Sequence, residues 1–348
     1  MSARILVARL DSAGDVLLAG PAVRAAAAGG ARVTLLCGPR GQGAAALLPG
    51  VDEIIVFTAP WIVAEPPPVD PAAITTLVDE LGSRRFDEAF VLTSFHQSAL
   101  PLALLLRLAG CPVIAAVSED YPGSLLDVRH HVPDGIHEVE RGLSLLTTCG
   151  HRLPPGDDGR LRVRRSGRQH PAVAALGSYV AVHPGAAASA RAWAPERCAN
   201  LVDALVGTGR QVVVTGGAGE AALVARVGGP PRPEVVALAG AVDLAGLAEV
   251  LAGAEAVVCG NTGPAHLAAA VGTPVVSLYA PTVPAVRWRP WRVEHRLLGD
   301  QAIACRGCRA RVCPVPGHPC IDTVPVAEVV AAVEALAPRP APVAGAAR

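Results

Sequence analysis

A chain of 348 residues with 51% hydrophobic and 17% charged side chains is long enough for two domains and apolar enough for each to bury a full core. Thirty basic residues balance thirty acidic ones, which gives no support for general nucleic-acid binding, and 3% aromatic residues argue against stacking platforms for bases or glycans. Every basic residue is arginine, so lysine-based Schiff chemistry is excluded.

The first residues run straight into a strand with no signal-peptide hydrophobic region. Apolar runs such as 99–106 are interrupted by Arg107, well short of a membrane span. Nine cysteines without a secretory signal suggest reduced thiols. These features predict a soluble cytoplasmic protein, at most attached peripherally to the inner face of the plasma membrane.

In chain order, continuous apolar runs predict strands over 5–8, 33–37, 52–57, 88–92 and 112–117. Helices are expected over 16–28, 71–85, 100–109 and 137–149. Turn chemistry at 153–159 and five arginines between 160 and 168 then break the pattern, placing a linker over 161–177. The alternation restarts with strands over 179–183, 211–215, 235–238, 256–259 and 274–279. Helices 195–206 and 243–251 lie among them, and a last helix runs from 325 to about 336. Residues 337–348 read as a disordered tail. Strands alternating with helices predict an α/β chain with two doubly wound parallel sheets, an N-terminal domain over 1–160 and a C-terminal one over 178–336. Ligand crevices of such sheets lie beyond the carboxyl ends of the strands, and two such domains imply an interdomain cleft.

Four loops fall at those strand ends. Asp15 closes the turn after strand one, where its carboxylate can accept a proton from a substrate hydroxyl or merely cap the following helix. His183-Pro184-Gly185-Ala186, with Arg191, follows the first strand of the second domain; its small residues admit backbone close to a ligand, and Arg191 offers a forked phosphate donor or a solvated surface charge. Gly216-Gly217-Ala218-Gly219-Glu220 is a glycine-rich turn short of the dinucleotide fingerprint, in which Glu220 can bond a ribose hydroxyl or favour a helix N-terminus. Asn261-Thr262-Gly263-Pro264-Ala265-His266 joins a buried strand to an alanine-rich helix. Thr262 and Gly263 lie at the positive helix end, where anions are favoured, and His266 adds a donor in the first turn.

The order and spacing of Asp11–Asp15, Leu17-Leu18-Ala19-Gly20-Pro21-Ala22, His137-Glu138-Val139-Glu140, His183-Pro184-Gly185, Arg191-Ala192-Trp193, Leu238-Ala239-Gly240, Asn261–His266 and Tyr279-Ala280-Pro281-Thr282 resemble glycosyltransferase family 9, the ADP-heptose:lipopolysaccharide heptosyltransferases. The resemblance covers residues 3–336. It implies a GT-B architecture of two Rossmann-like domains facing a central cleft, with the acceptor on the N-terminal domain and the nucleotide sugar on the C-terminal one. It implies inverting transfer of heptose from an ADP-sugar to a hydroxyl of a glycan, glycolipid or small-molecule acceptor, without a metal. Asp15 matches the family's general base. Thr262, Gly263 and His266 match its diphosphate motif, Arg191 falls where a phosphate-contacting lysine is common, and Leu238 to Gly240 would lie near the adenine. One departure is Asn261, where the family's motif usually begins with an acidic residue. Other GT-B enzymes, such as UDP- or GDP-sugar transferases and sugar-nucleotide epimerases, and a non-catalytic nucleotide-sugar-binding homologue are the alternatives.

Two features lie outside these motifs. Cys305, Cys308, Cys313 and Cys320 are spaced by two, four and six residues, which admits a structural metal site without matching a standard two-knuckle pattern. The arginines of 160–168 suit a solvated linker face or contact with an anionic acceptor or membrane surface.

Overall fold

The computed structural model describes residues 2–338, so most of the expected tail, 339–348, lies outside the described residues. The chain divides into two compact units, Met1–Arg165 and Ser166–Arg348. Unit 1 carries strands β1 (Arg4–Arg9), β2 (Arg32–Cys37), β3 (Glu53–Val56), β4 (Glu88–Val91), β5 (Val113–Val117) and β6 (Val128–His130). Unit 2 carries β7 (Tyr179–His183), β8 (Gln211–Gly216), β9 (Val235–Ala239), β10 (Ala256–Gly260), β11 (Val275–Leu278) and β12 (His295–Leu298).

The strand orders are β3-β2-β1-β4-β5-β6 and β12-β11-β10-β7-β8-β9, with every pairing within them parallel. Read from β9, the second order repeats the first, and both are the classic doubly wound arrangement. The central strands are continuous apolar runs because both faces are covered. On one face of sheet one, Leu6, Ala8, Leu36 and Ile55 pack on Leu77 and Leu81 of the helix Pro71–Arg84 and on Leu102 and Leu106 of the helix Leu100–Leu108. In unit 2, Val180, Val182, Val212, Val214 and Val258 join a core with Leu201 and Leu205 of the helix Pro195–Gly207 and Val329 and Val333 of the helix Val326–Leu336. Among the described residues no helix is long and apolar enough to cross a membrane.

The expected helix over 16–28 is two helices, Ala13–Leu18 and Gly20–Ala27. The break has a cause in Pro21, which has no N–H to donate back to Leu17. The helix Gln42–Leu47 and the short strands β6 and β12 escape sequence reading because they span too few residues to show a period. Part of the expected linker is structured. Leu161 is 2% exposed, and Arg164 donates to the carbonyls of Leu47 and Val51. Ala337, expected in the tail, accepts from Arg210 through its carbonyl.

Just before the linker, Arg24 on the helix Gly20–Ala27 grips Asp157 through two bonds, 2.6 Å from Nε and 3.0 Å from a terminal nitrogen. The side chains are 7% and 6% exposed. The Arg24 hydrogen bonds, with help from the Gly159 amide and against the opposing effect of burial, bring the Asp157 pKa down from 3.8 to about 2. A carboxyl depressed in the folded state stabilises it above its unfolded pKa, and that contribution is lost as pH falls through about 2. Asp157→Asn is therefore expected to lower the unfolding free energy at pH 7 by ~2 kcal/mol and to flatten its decline between about pH 4 and pH 2. Denaturant titrations across that range check this; a variant within ~0.5 kcal/mol of the parent at pH 7 contradicts it.

Candidate functional site

In each sheet the winding reverses beside the first strand, between β1 and β4 and between β7 and β10, and ligand crevices form at such switch points. The strands leaving those points lead directly into the loops that carry Asp15, His183, Arg191 and Asn261.

In unit 1, Ser12 rather than Asp15 is the N-cap, but Asp15 still serves the helix start as the third member of a capping box, its Oδ2 accepting from the Ser12 N–H at 3.4 Å. Asp15 is the third residue of its helix and folds back, so that its Oδ2 accepts from the Ser12 hydroxyl at 2.7 Å. Its Oδ1 accepts from the Arg9 guanidinium at 3.1 Å. The same guanidinium reaches Ser94 Oγ at 2.8 Å, Asp11 Oδ2 at 3.1 Å and Glu138 Oε2 at 3.3 Å. Side-chain exposures are 5% for Arg9, 8% for Asp11 and 2% for Glu138, against 19% for Asp15. Asp15 is thus the most accessible of the three carboxylates to a substrate hydroxyl. Burial pulls the Arg9 pKa down, but Asp11, Asp15 and Glu138 outweigh it, and the net shift is upward. Burial also raises the pKa of Asp11 and Glu138, against the lowering effect of Arg9. A small cavity lined by Arg9, Thr93, Glu138 and Arg141 adjoins the cluster. Glu138 Oε1 and Thr93 Oγ1 are buried without a hydrogen-bond partner. Of these residues Asp15 stood out by its position, and Asp11 and Glu138 lay within stretches that carried the family resemblance, while Arg9, Thr93, Ser94 and Arg141 gave no signal.

In unit 2, His183 ends β7, and its Nδ1 lies 3.0 Å from Thr215 Oγ1 at the end of β8. Burial lowers the His183 pKa despite the pull of Glu220, which favours a neutral ring. Glu220 closes the glycine-rich turn by accepting from the Gly217 N–H at 2.7 Å. Its carboxylate lies over Gly185, where a Cβ would come within 1.9 Å of Oε1. Gly240 follows β9 with φ +60 and packs on Ala218, 2.6 Å from the Cα to a hypothetical Cβ, so only glycine lets the two loops meet. Leu238 is buried within β9 at 4% exposure, which places its side chain in the sheet and leaves Gly240 at the strand end.

The buried β10 delivers Asn261 and the helix Gly263–Val271, with Thr262 as N-cap and Pro264 in its first turn. His266 is buried at 5% exposure rather than lying on the surface. Asn261 is 7% exposed, and its polar neighbour is the Tyr279 hydroxyl. That hydroxyl also donates to the Pro284 carbonyl at 3.4 Å. Gly260 lets the Arg191 loop approach, since a Cβ there would lie 2.6 Å from the Arg191 carbonyl oxygen. Arg191 in turn donates through Nε to Thr282 Oγ1 at 3.2 Å. Arg191 and the 261–266 turn are therefore parts of one place.

Cys305, Cys308, Cys313 and Cys320 surround one small, mostly apolar cavity, and all four are free thiols. Burial, together with the other three cysteines, pushes Cys320 up to about 11. Among the described residues no three His, Cys, Asp or Glu side chains are grouped so as to hold a metal ion. What the segment visibly does is brace the Arg191 loop. The Arg311 carbonyl accepts from the Ala190 N–H at 3.0 Å, His318 Nε2 lies 3.1 Å from the Ala190 carbonyl, and the Arg309 N–H donates to the Thr282 carbonyl at 2.9 Å. In the arginine run, Arg162 and Arg164 are exposed, in keeping with a solvated linker face, with Arg162 paired to Asp158 at 3.1 Å and Arg164 donating to a backbone carbonyl.

A sequence model of glycosyltransferase family 9 (heptosyltransferase) matches residues 74–318. The lipopolysaccharide heptosyltransferase 3 of Escherichia coli is 30% identical over 280 residues, 75% of this chain and 78% of that protein. The solved glycosyl transferase family 9 from Veillonella parvula superposes with a TM-score of 0.78 at 18% identity, covering 97% of this chain and 98% of that one. The E. coli ADP-heptose lps heptosyltransferase II gives 0.75 at 21% identity, covering 96% and 98%. With the family model spanning most of both units, this chain belongs to glycosyltransferase family 9, the heptosyltransferases, and is a glycosyltransferase.

Proposed function

We propose that the chain is an inverting glycosyltransferase that moves heptose, or a closely related sugar, from an ADP-sugar to a hydroxyl of a lipopolysaccharide-type glycan. The observation that carries this reading is the seat formed by Arg191, Asn261–His266 and Thr282 at the switch point of the second sheet. It combines a helix N-terminus, a guanidinium and a buried amide, which together suit a diphosphate. The names of the relatives, a lipopolysaccharide heptosyltransferase and an ADP-heptose enzyme, support the donor and acceptor class.

As the glycosidic bond breaks, negative charge grows on the departing ADP, and donors already aimed at it stabilise the transition state more than the ground state. Arg191 and the helix end supply positive charge at the diphosphate, so the proposed reaction needs no metal ion. Thr262, Gly263 and His266 hold the phosphates, while Gly185 and Gly217 beneath Glu220, and Gly240 against Ala218, draw the loops on the nucleotide side together. His183 and Glu220 shape the floor, and Glu220 can turn to a ribose hydroxyl. Asp15 takes the proton of the acceptor hydroxyl as its oxygen attacks the anomeric carbon opposite the leaving group. Inversion follows from that single displacement. Asn261 favours a second reading, a nucleotide-sugar-binding protein without turnover, because an amide withholds the charge an aspartate would bring.

Asp15→Asn is expected to reduce transfer by ~10²–10⁴-fold, the usual cost of losing a general base, while calorimetric donor affinity stays within about twofold. Full transfer by that variant overturns the assignment. Calorimetry with ADP, UDP and GDP should show clear preference for ADP; equal or stronger UDP binding points to another nucleotide sugar. Transfer should also survive EDTA dialysis unchanged, and activity restored only by a divalent cation contradicts metal-free catalysis. Consumption of ADP-heptose with a truncated lipopolysaccharide core as acceptor excludes the reading without turnover.

A further inference from the structure

We propose that Arg9 is a positioning residue for Asp15, aimed by Glu138 and Ser94, so that one buried guanidinium sets the orientation of the carboxylate that receives the acceptor proton. The proposal rests on the reading of Asp15 as general base. Arg9 is the last residue of β1 and leaves the sheet at the switch point, with its side chain 5% exposed. An arginine loses much rotamer freedom on burial, and it is held in one geometry only when several anchors share it. Here one terminal nitrogen is fixed by Glu138 Oε2 at 3.3 Å and the other by Ser94 Oγ at 2.8 Å. A guanidinium is planar and rigid, so fixing it at two points dictates where its remaining donors point. The nitrogen that meets Ser94 is thereby set 3.1 Å from Asp15 Oδ1, with Asp11 Oδ2 also at 3.1 Å.

Asp15 is then held from both sides, by Arg9 on one oxygen and by the Ser12 hydroxyl on the other at 2.7 Å. Oδ2 also accepts from the Ser12 N–H at 3.4 Å, and bonds on both oxygens remove the carboxylate's freedom to rotate. The anchors are themselves secured. Glu138 opens the helix Glu138–Thr148, whose N-cap His137 receives the Val139 N–H through Nδ1 at 3.2 Å. Ser94 donates to Asp11 Oδ2 at 2.8 Å, and its N–H donates to Gln97 Oε1 at 3.0 Å. The competing account is that Arg9 merely neutralises buried carboxylates. That account predicts no special dependence on the planar fork and no coupling to Asp15.

Arg9→Lys keeps the charge and removes the fork. With ADP-heptose and a truncated lipopolysaccharide core as substrates, kcat is expected to fall ~10²-fold, the scale of an ångström-level misplacement, with the donor KM within about twofold of the parent. Because Arg9 acts through Asp15, adding Arg9→Lys to Asp15→Asn should cost nothing further. Wild-type kcat in Arg9→Lys, or losses that multiply in the double variant, overturns the proposal. Arg9→Met alone leaves buried carboxylates unpaired and can unfold the unit, so Arg9→Met/Glu138→Gln, which removes a charge pair together, provides the second arm. Its crystal structure should show the Asp15 carboxylate turned away from its present place; an unmoved Asp15 overturns the proposal without reference to turnover. Full turnover by Asp15→Asn would instead overturn the base assignment, leaving the crystallographic arm to decide whether Arg9 holds Asp15.

Discussion

The reversal of winding beside β1 and β7 is the constraint on which both candidate sites depend. Parallel strands need crossover connections, and each crossover returns over one face of the sheet. Where successive crossovers leave to opposite faces, the loops at the strand ends part and expose backbone that is elsewhere covered. β1 and β4 part in this way, and so do β7 and β10. Asp15 and Ser94 follow one such pair, and Arg191 and Asn261 follow the other. Neither set of residues would converge on another strand order, because their separations along the chain are far too large for local structure to gather them.

Close approach of backbone completes what topology begins in the second unit. Gly260 allows the Arg191 carbonyl over the end of β10, and Gly240 allows the strand end onto Ala218. Each contact replaces a side chain with proximity, so the Arg191 backbone lies against the end of the strand that leads into the helix beginning at Gly263. The cysteine-containing segment adds the outer wall. Its backbone bonds to Ala190 and Thr282 hold Arg191 and its acceptor Thr282 from the far side. The four cysteines of that segment line one cavity beside this bracing.

How much of this was legible in the sequence follows from the range of each interaction. The central strands declared themselves because burial on both faces demands uninterrupted apolar runs, as in Val257-Val258-Cys259. Caps marked several helix starts, with Asp70 and Asp243 each accepting from an N–H two or three residues on. Asp15, Arg191 and Asn261–His266 were visible as residue types at strand ends and gained meaning from their shared order along the chain. The Arg9 cluster was not visible. Its partners Ser94 and Glu138 lie 85 and 129 residues away, and nothing periodic or local links them. The burial of Asn261 beside the Tyr279 hydroxyl was equally hidden, because an amide in a turn normally bonds the nearby backbone.

The Arg9 cluster also shows where stability and chemistry diverge. Placing Arg9, Asp11 and Glu138 out of water costs several kcal/mol per ion before any attraction is counted, and apolar side chains of similar volume often stabilise such a place as well or better. The upward shifts of Asp11 and Glu138 reflect that cost, since burial is their leading cause. Pairing is incomplete on both sides, since Arg9 Nε and Glu138 Oε1 are each buried without a hydrogen-bond partner. A purely structural core would not favour this composition. A site that must keep one carboxylate accessible, ionised neighbours close and its orientation fixed does favour it, because only a shared rigid cation can do all three within one strand end. The arrangement is better understood as stability given up for geometry at Asp15 than as a salt bridge holding the fold together.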